Sequence, residues 1–568
     1  MKMKKITALT LATLSVGAIS LAGCGGGGGN KGIAMISIVN FGGGVGDEWL
    51  INATERFAEA NMDTQFGDYT GVEFEIDNQQ GITLTNMDTD GYQMYFCESS
   101  SSVRQLAQQS FLLDIGDIVN EPLTEYGEDK TILSKISEDY QIMCQGADGN
   151  YYGLPHYEFY PGLTYDVDLF ERELLYFADT GVGVTYPTTP CKFGQGNFIS
   201  SLNDKKSCGP DGEYGTQDDG LPSSLQEFLL LCYRMKNSCS VAPFGLSAKY
   251  QGYAGHLISA LWSSLAGYEK MQSVYDFTGT LEVVTGFHDD QYLFGTNYIP
   301  KPITDTIEVK EENGYRVYDM VERYYAMAIL KIADTEGWFT ETAFQGTTHT
   351  EEQQWFIFSG QYLDGKNIQK VGMLIEGNYW YNESKTAGNL DQYYALTNTT
   401  ERRVAWMNLP VTLDTTVTEG NGKPMTLLDT AYSYTFINAN IKEDTGLVKA
   451  CKEFMRFLYT DAELSAFTEC TGMSKAVNYP LSENSTLDMF QKSVRNIKER
   501  GAVLYAGANN QTFLKNTKAF NLNNSSALYK PNGTQIMKAF HDNGMTVRNA
   551  FEKTQWDSTD WSTIVAGD

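Results

Sequence analysis

The chain has 568 residues, of which 42% are hydrophobic and 13% aromatic. This is enough apolar surface to bury the cores of about two to four domains. Its 71 acidic residues against 42 basic ones give a formal net charge of −29. Because such a surface repels phosphate groups, the composition argues against nucleic acid and anionic lipid headgroups as partners.

The N-terminal residues predict export and a lipid anchor. Three lysines precede the apolar stretch Ile6–Leu21, which is shorter than the roughly 20 residues that span a bilayer. The small residues Ala22 and Gly23 then lead into Cys24, so residues 1–23 are predicted to be a lipoprotein signal peptide and Cys24 the acylated first residue. Residues 24–32, rich in glycine, are predicted to be a flexible tether. The alternative is a secretory signal without lipidation.

Strand and helix patterns alternate along the rest of the chain. The apolar run Ile33–Phe41 predicts a strand, Gly42–Gly46 a tight turn, and the spacing of the apolar residues that follow a helix. Further predicted elements are a helix at Arg104–Leu113, strand-turn-strand at Tyr151–Leu169, and helices whose apolar faces run Leu225–Met235 and Leu447–Leu458. The alternation predicts α/β lobes, with a loop-rich insertion at about residues 178–222.

Cysteine and histidine spacing argues against metal and hydrolase chemistry. The nine cysteines include no CxxC pair, although Cys191 with Cys208, or Cys232 with Cys239, could form a disulfide or equally stay reduced. The five histidines are scattered, and neither HExxH nor GxSxG occurs. The chain is therefore predicted not to be an enzyme and to require no cofactor. A glycoside hydrolase is the alternative, because its two carboxylates are paired in space and not in sequence.

Four sequence blocks resemble, in the expected order, the extracellular solute-binding proteins (family 1) of bacterial carbohydrate ABC importers. They are GNYYGLP at 149–155 followed by GLTYDVDLF at 162–170, MLIEGNYW at 373–380, VAWMNLP at 404–410, and KEFMRFLYTDAELSAFTECTG at 452–472. The resemblance implies an α/β, two-lobe periplasmic-binding-protein-like fold of type II, similar to maltose-binding protein, with a ligand cleft between the lobes. It implies residues 33–156 plus 410–476 for lobe 1, and residues 157–409 plus 477–568, with the insertion, for lobe 2.

The resemblance also implies a function. Such a protein captures an oligosaccharide and delivers it to the membrane subunits of an ABC permease. Here it would be a monomer held by lipid on Cys24 at the extracellular face of the cytoplasmic membrane. A surface glycan-binding adhesin without transport is the alternative from another class.

Neutral sugars are bound by aromatic stacking together with carboxylate and amide hydrogen bonds. The ligand-binding residues that the resemblance implies are Asp47, Glu48, Trp49, Glu98, Ser99, Tyr157, Glu158, Tyr250, Gln251, Tyr253, Trp262, Tyr379 and Trp380. Core packing is the alternative for Trp262, Tyr379 and Trp380. The segment Cys97–Ser102 departs from the maltooligosaccharide binders, which argues against a maltose-type ligand.

The insertion contains an acidic, glycine-rich loop. Asp211, Asp218 and Asp219 supply hard oxygen ligands of the kind that calcium prefers, so a structural calcium ion is one interpretation. The spacing lacks the DxDxDG start of an EF-hand, and a solvated acidic turn is the alternative.

Overall fold

A computed structural model describes residues 32–99, 101–413, 423–429, 432–506 and 535–566. The predicted signal peptide, Cys24 and the glycine run Gly25–Gly29 lie outside the described residues. None of the helices within the described ranges is long and apolar enough to cross a membrane.

Over the described ranges, the strands form two mixed sheets, three hairpins and one parallel pair. In chain order they are β1 (Gly32–Phe41), β2 (Gln65–Phe66), β3 (Tyr69–Gln79), β4 (Met94–Glu98), β5 (Gly153–Pro155), β6 (Pro161–Asp166), β7 (Val184–Cys191), β8 (Gly194–Phe198), β9 (Ala242–Gly245), β10 (Thr280–Tyr292), β11 (Pro300–Glu308), β12 (Tyr362–Leu363), β13 (Lys366–Asn367), β14 (Val371–Gly377), β15 (Val404–Trp406), β16 (Thr426–Asp429), β17 (Ser433–Ile437) and β18 (Ala502–Tyr505).

The helices cover the faces of these sheets. In chain order they are α1 (Glu48–Ala60), α2 (Val103–Gln108), α3 (Gly116–Asn120), α4 (Ile132–Lys135), α5 (Glu138–Gln141), α6 (Val167–Arg172), α7 (Leu225–Ser238), α8 (Gln251–Ala266), α9 (Tyr268–Asp276), α10 (Val321–Thr335), α11 (His349–Ile357), α12 (Trp380–Thr386), α13 (Asn389–Thr397), α14 (Thr445–Leu458), α15 (Asp461–Thr471), α16 (Met489–Arg500), α17 (Ile536–Asn543), α18 (Val547–Lys553) and α19 (Ser558–Val565).

The sheet of lobe 1 has the order β2-β3-β1-β4-β17-β5. Strand β1 runs parallel to β3 and β4, whereas β17 is antiparallel to β4 and β5. The inward residues Ala34, Ile36 and Ile38 of β1 are fully buried, and α1 packs Leu50 and Phe57 into the same core. The alternating apolar strand and the amphipathic helix that the sequence predicts thus form one layered unit.

The sheet of lobe 2 has the order β15-β6-β14-β9. Strand β14 is antiparallel to β6 and parallel to β9, and all seven of its residues are buried. A strand covered on both faces is largely apolar, which explains the run of non-polar residues from Val371 to Ile375, and the buried Glu376 is the exception. Helix α7 begins at a capping box of Ser224 and Glu227 and buries its apolar face in this lobe.

The chain passes between the two sheets at three places. The first passage is residues 156–160 between β5 and β6, and the second joins β15 to β17. The third runs from α15, which ends at Gly472 with a φ of +74°, to α16. The molecule is an α/β protein of two lobes, as predicted. The division of residues between the lobes stays a prediction.

Some predicted elements differ in the structure. The helix predicted at Arg104–Leu113 ends at Gln108 because Ser110 has a φ of +60° and turns the chain away. Within the insertion, β7 and β8 form a hairpin where only loop was predicted. No disulfide joins the cysteines of the described residues.

The burial of Glu352 on α11 predicts a pH-dependent stability. Burial raises the pKa of this carboxyl to about 7, although Thr342 Oγ1 donates a hydrogen bond to it over 2.8 Å. The native state therefore binds a proton more tightly than the unfolded chain, and this group costs stability as the pH rises from about 4.5 to 7.

The variant Glu352→Gln tests this effect. As the pH rises from 5 to 8, we expect its free energy of unfolding, measured by chemical denaturation, to increase by about 2–3 kcal/mol relative to that of the wild type. Glu351→Gln, at an exposed neighbour whose pKa is lowered, should gain nothing over this range. A constant difference between Glu352→Gln and wild type at both pH values would contradict the prediction.

Candidate functional site

The loop Gly42–Gly46, here called the glycine loop, follows the carboxyl end of β1. Asn40, fully buried near the end of that strand, donates from Nδ2 to the Gly46 carbonyl oxygen and to Oδ1 of Asn78, each over 3.0 Å. Asn78 donates in turn to Oδ2 of Asp47 over 3.3 Å. Ligand sites in open α/β sheets lie beyond the carboxyl ends of strands. Lobe 1 therefore presents the glycine loop and Asp47 at this edge.

Strand β14 of lobe 2 ends at the edge that faces the glycine loop. The chain then continues into two aromatic residues with different surroundings. Trp380 is fully buried, and its indole N–H donates to Thr164 Oγ1 over 2.8 Å. Tyr379 stays partly exposed, with its ring centroid 5.4 Å from that of Phe159 in the first passage between the lobes. The structure thus corrects the prediction of Trp380 as a ligand residue, whereas Tyr379 lies between the lobes.

Aromatic rings from three parts of lobe 2 and the first passage meet at this edge. Their members, here called the aromatic cluster, are Phe159, Tyr250, Tyr253, His256, His349 and Tyr379. The Tyr253 and His349 rings are stacked, with centroids 5.2 Å apart and planes inclined by 16°. His256 lies 5.4 Å from both Tyr253 and Phe159, and burial lowers its pKa to about 4, so it is neutral at pH 7. Flat, uncharged ring faces of this kind suit the apolar faces of sugar rings.

Two carboxylates, Glu376 and Glu383, lie beside the aromatic cluster. The buried Gln353 side chain donates from Nε2 to Glu376 Oε1 over 3.1 Å and to Glu383 Oε2 over 2.8 Å. Burial raises the pKa of both carboxyls, and the Glu383 charge raises that of Glu376 further. Oε1 of Gln353 is buried and has no hydrogen-bond partner. Glu376 is only 1% exposed, so Glu383, which is partly exposed, is the acceptor that a hydroxyl group could reach next to the stacking surfaces.

The predicted residues of lobe 1 fall into two groups. Trp49 is buried in the core, where its ring contacts Phe96 at 5.4 Å and Phe467 at 5.1 Å, so the structure corrects its prediction as a ligand residue. Ser99 is also buried, and its hydroxyl donates to the Ser101 carbonyl oxygen. Glu48 is exposed in the first turn of α1.

Glu98 and Tyr157 are brought together in lobe 1. The Tyr157 hydroxyl donates to Glu98 Oε1 over 2.6 Å. The tyrosine is buried and the glutamate is exposed at the end of β4. Of this pair, the carboxylate is the group that a ligand could reach.

Glu158 holds the passages between the lobes together instead of facing a ligand. It is fully buried, it pairs with Lys498 of α16, and it accepts a hydrogen bond from the Tyr505 hydroxyl over 2.7 Å. Its backbone N–H donates to the Ser474 carbonyl oxygen over 2.8 Å, which links the first passage to the third. The structure therefore corrects the prediction of Glu158 as a ligand residue.

The predicted ligand residues on and next to α8 also lie in different surroundings. Tyr253 belongs to the aromatic cluster, and Tyr250 lies at its rim with 40% of its surface exposed. Trp262 is buried about two and a half turns beyond Tyr253 on the helix and packs near Tyr318, which corrects its prediction as a stacking residue. The side chain of Gln251 lies outside the described residues.

Sequence reasoning missed several members of this edge. Glu376 stood within a block that carried the family resemblance, and His256 follows Tyr253 by three residues on one helix face. These two positions carried a signal that could have been used. His349 and Gln353 come from α11, about a hundred residues away from Tyr253, and no local pattern links them to it.

The acidic loop of the insertion binds its own backbone and a neighbouring helix. The N–H of Asp211 donates to Asp218 Oδ2 over 3.1 Å, and Gly215 N–H donates to Asp219 Oδ2 over 2.9 Å. Arg500 of α16 pairs with Asp211 at 2.8 Å. Over the described ranges, no three His, Cys, Asp or Glu side chains are grouped so that they could hold a metal ion. The calcium interpretation stays a prediction.

Comparison with known proteins finds similarity in structure but not in sequence. No protein-family model matches the chain, and no curated protein matches it significantly. A chitin oligosaccharide binding protein is similar over 94% of this chain and 99% of its own, with 14% identity and a TM-score of 0.53. At this identity, the similarity shows the fold.

Two further solved structures show the same fold. The binding protein BlMnBP1 of an ABC transporter from Bifidobacterium animalis subsp. lactis, solved with mannobiose, is 11% identical over 94% of this chain and 95% of its own, with a TM-score of 0.52. A structure from work on xylan utilisation by Caldanaerobius polysaccharolyticus is 12% identical over 92% and 99%, with a TM-score of 0.54. The chain thus has the two-lobe α/β fold of solute-binding proteins.

Proposed function

We propose that this protein is an extracellular solute-binding protein that captures an oligosaccharide between its lobes and delivers it to an ABC importer. The observation that carries the proposal is the aromatic cluster beside the partly exposed Glu383, where the end of β14 and the start of α12 meet the glycine loop of the other lobe. Aromatic rings stack on the apolar faces of sugars, and neighbouring acceptors bind the sugar hydroxyl groups. Proteins of the same fold with sugar ligands in their names support it.

The mechanism follows from differential affinity. A sugar that stacks on Tyr253 and Tyr379 and donates a hydroxyl hydrogen bond to Glu383 contacts the closed arrangement more extensively than the open one. Binding therefore shifts the population towards closure, without covalent chemistry. The closed form is what a permease would distinguish from the open one.

The attachment of the protein to a membrane belongs to the same proposal. Acylation of Cys24 and a glycine-rich tether would hold the lobes at the extracellular face of the cytoplasmic membrane, within reach of a permease. The signal pattern of the first 24 residues supports this part of the proposal. We propose a monomer that requires no cofactor.

Thermal unfolding of the purified protein with a panel of oligosaccharides tests the proposal, with peptides as a competing class of solute. A ligand at 100 times its dissociation constant should stabilise the fold by about 2.7 kcal/mol. A shift with peptides and none with sugars would overturn the carbohydrate assignment. Recovery of cleaved sugar would favour a glycoside hydrolase instead.

A matched pair of tyrosine variants locates the binding site. We expect Tyr379→Ala to weaken binding of the sugar found in the panel by about tenfold or more, because it removes a stacking face between the lobes. Tyr362→Ala is the control, since Tyr362 is 60% exposed on the remote hairpin of β12 and β13. Isothermal titration measures both variants. If the two variants bind the sugar with equal affinity, the binding site does not include Tyr379.

A further inference from the structure

The glycine loop of lobe 1 contacts helix α12 of lobe 2 through one side-chain amide. Nδ2 of Asn382 donates to the carbonyl oxygens of Gly44 and Val45, over 2.8 Å and 3.0 Å. Asn382 has 9% of its surface exposed, and both glycine-loop residues are buried. When the lobes separate, these bonds are exchanged for hydrogen bonds to water, so each contributes a modest net free energy to the contact between the lobes.

The same approach requires a glycine at position 44. Gly44 has a φ of +64°, and a Cβ placed on it would lie 2.7 Å from Cβ of Tyr379. Real Cβ atoms do not approach other carbon atoms so closely. The main chain of lobe 1 thus packs directly on the tyrosine of the aromatic cluster.

The glycine loop is held in place from its own side. Val45 N–H donates to the Gly43 carbonyl oxygen over 2.6 Å, and Asn40 fixes the Gly46 carbonyl oxygen. The carbonyl groups that Asn382 contacts are therefore presented by a preorganised turn. A preorganised contact surface loses less conformational entropy when the lobes meet.

We infer that Asn382 and Gly44 form a latch that holds the lobes closed over Tyr379 and so sets the affinity of the cleft. The latch joins protein to protein, and no ligand atom takes part in it. Its free energy therefore favours closure whether or not a sugar is bound. This inference rests on the proposed function only for its consequence on affinity, because the contact itself exists without reference to any ligand.

The consequence follows from population arithmetic. The apparent dissociation constant equals the intrinsic one divided by the fraction of molecules in the binding-competent arrangement. Loss of the latch lowers the closed fraction, so the apparent dissociation constant rises although no sugar contact has been removed. Two hydrogen bonds to backbone carbonyls correspond to about a tenfold change.

Small-angle X-ray scattering of the purified protein, with no sugar added, measures closure directly. We expect Asn382→Asp to increase the radius of gyration, because a carboxylate would face two carbonyl oxygens. Gly44→Ala should have the same effect because of the Tyr379 clash. Gly46→Ala is the matched control for the loop: Gly46 also has a positive φ, of +70°, but its Cβ would meet only Asn382 at 3.8 Å. Thr386→Ala, exposed on the same helix, is the control for α12.

Titration with the sugar found by the panel is the second readout. Asn382→Asp should raise the dissociation constant about tenfold, with Thr386→Ala near wild type. Circular dichroism verifies that each variant is folded, and Asn382→Ala replaces any variant that is not.

The outcomes separate the two proposals. Unchanged scattering for folded Asn382 and Gly44 variants would overturn the latch, even if sugars bind. An increased radius of gyration in the Asn382 and Gly44 variants, together with no sugar binding by the wild type, would support the latch and overturn the carbohydrate assignment. Equal expansion in Gly46→Ala would show that loop strain, and not the contact with lobe 2, is responsible, and would also overturn the latch.

Discussion

Trp380→Ala is expected to lower the free energy of unfolding by about 3–5 kcal/mol. Trp380 is fully buried, it packs edge-on against Phe356 and Phe490, and its indole N–H satisfies Thr164 Oγ1. Alanine would leave a large cavity in the core of lobe 2 and an unpaired hydroxyl. Urea denaturation, monitored by far-UV circular dichroism and not by tryptophan fluorescence, measures the loss of stability.

The adjacent residue provides the control for this prediction. Tyr379→Ala should cost less stability, because the ring is partly exposed, but should weaken ligand binding more. Trp380→Phe, which keeps most of the apolar volume, should cost less than Trp380→Ala. A folded Trp380→Ala protein with wild-type stability and impaired binding would contradict our assignment of Trp380 to the core.

The contrast between these neighbours shows what the sequence pattern could and could not determine. The block MLIEGNYW at 373–380 stood out by its resemblance to a known family, and strand β14 ends within it. Which of two consecutive aromatic residues faces the cleft depends on how the chain leaves the sheet. Since β14 is buried on both faces, its sequence has no alternation from which the direction of the next residues could be read.

Regular elements were predictable where local rules agreed with the fold. Helix α1 follows β1 and a glycine turn as expected, and α7 has both an amphipathic face and a capping box. The hairpin of β7 and β8 was missed because its strands are rich in threonine, proline and glycine. Such residues indicate loops locally, and only the pairing of the two segments makes them strands.

Long-range partners account for the errors at the candidate site. Glu158 resembled a ligand residue by its position after β5, but its charge is paired with Lys498, 340 residues further along the chain. Nothing near Glu158 in the sequence indicates that partner. The stacking of His349 on Tyr253 was missed for the same reason. A buried carboxylate or ring can be assigned a role only once its neighbours in space are known.

Asp166→Asn is expected to destabilise lobe 2 by about 3–5 kcal/mol, because it removes the charge that balances a buried arginine. Arg402 donates to the two oxygens of Asp166 over 2.8 Å and 2.7 Å, and the side chains are only 2% and 3% exposed. The Arg402 guanidinium also donates to the Ile357 carbonyl oxygen over 2.9 Å. The pair fastens the end of β6 to a point two residues before β15, and these two strands carry the first and second passages between the lobes.

The substitution by asparagine removes the charge of Asp166 but keeps its second role as a helix cap. Asp166 Oδ1 also accepts from the Leu169 N–H over 2.9 Å as the N-cap of α6, and asparagine caps helices equally well. The control Asp168→Asn, at a residue 31% exposed that contacts the same arginine, should cost no more than about 1 kcal/mol. Adding Arg402→Met to Asp166→Asn should restore part of the lost stability, since no charge then stays buried alone. If the double variant unfolds at lower urea concentration than Asp166→Asn alone, the arginine stabilises lobe 2 through its backbone hydrogen bonds and not through the ion pair.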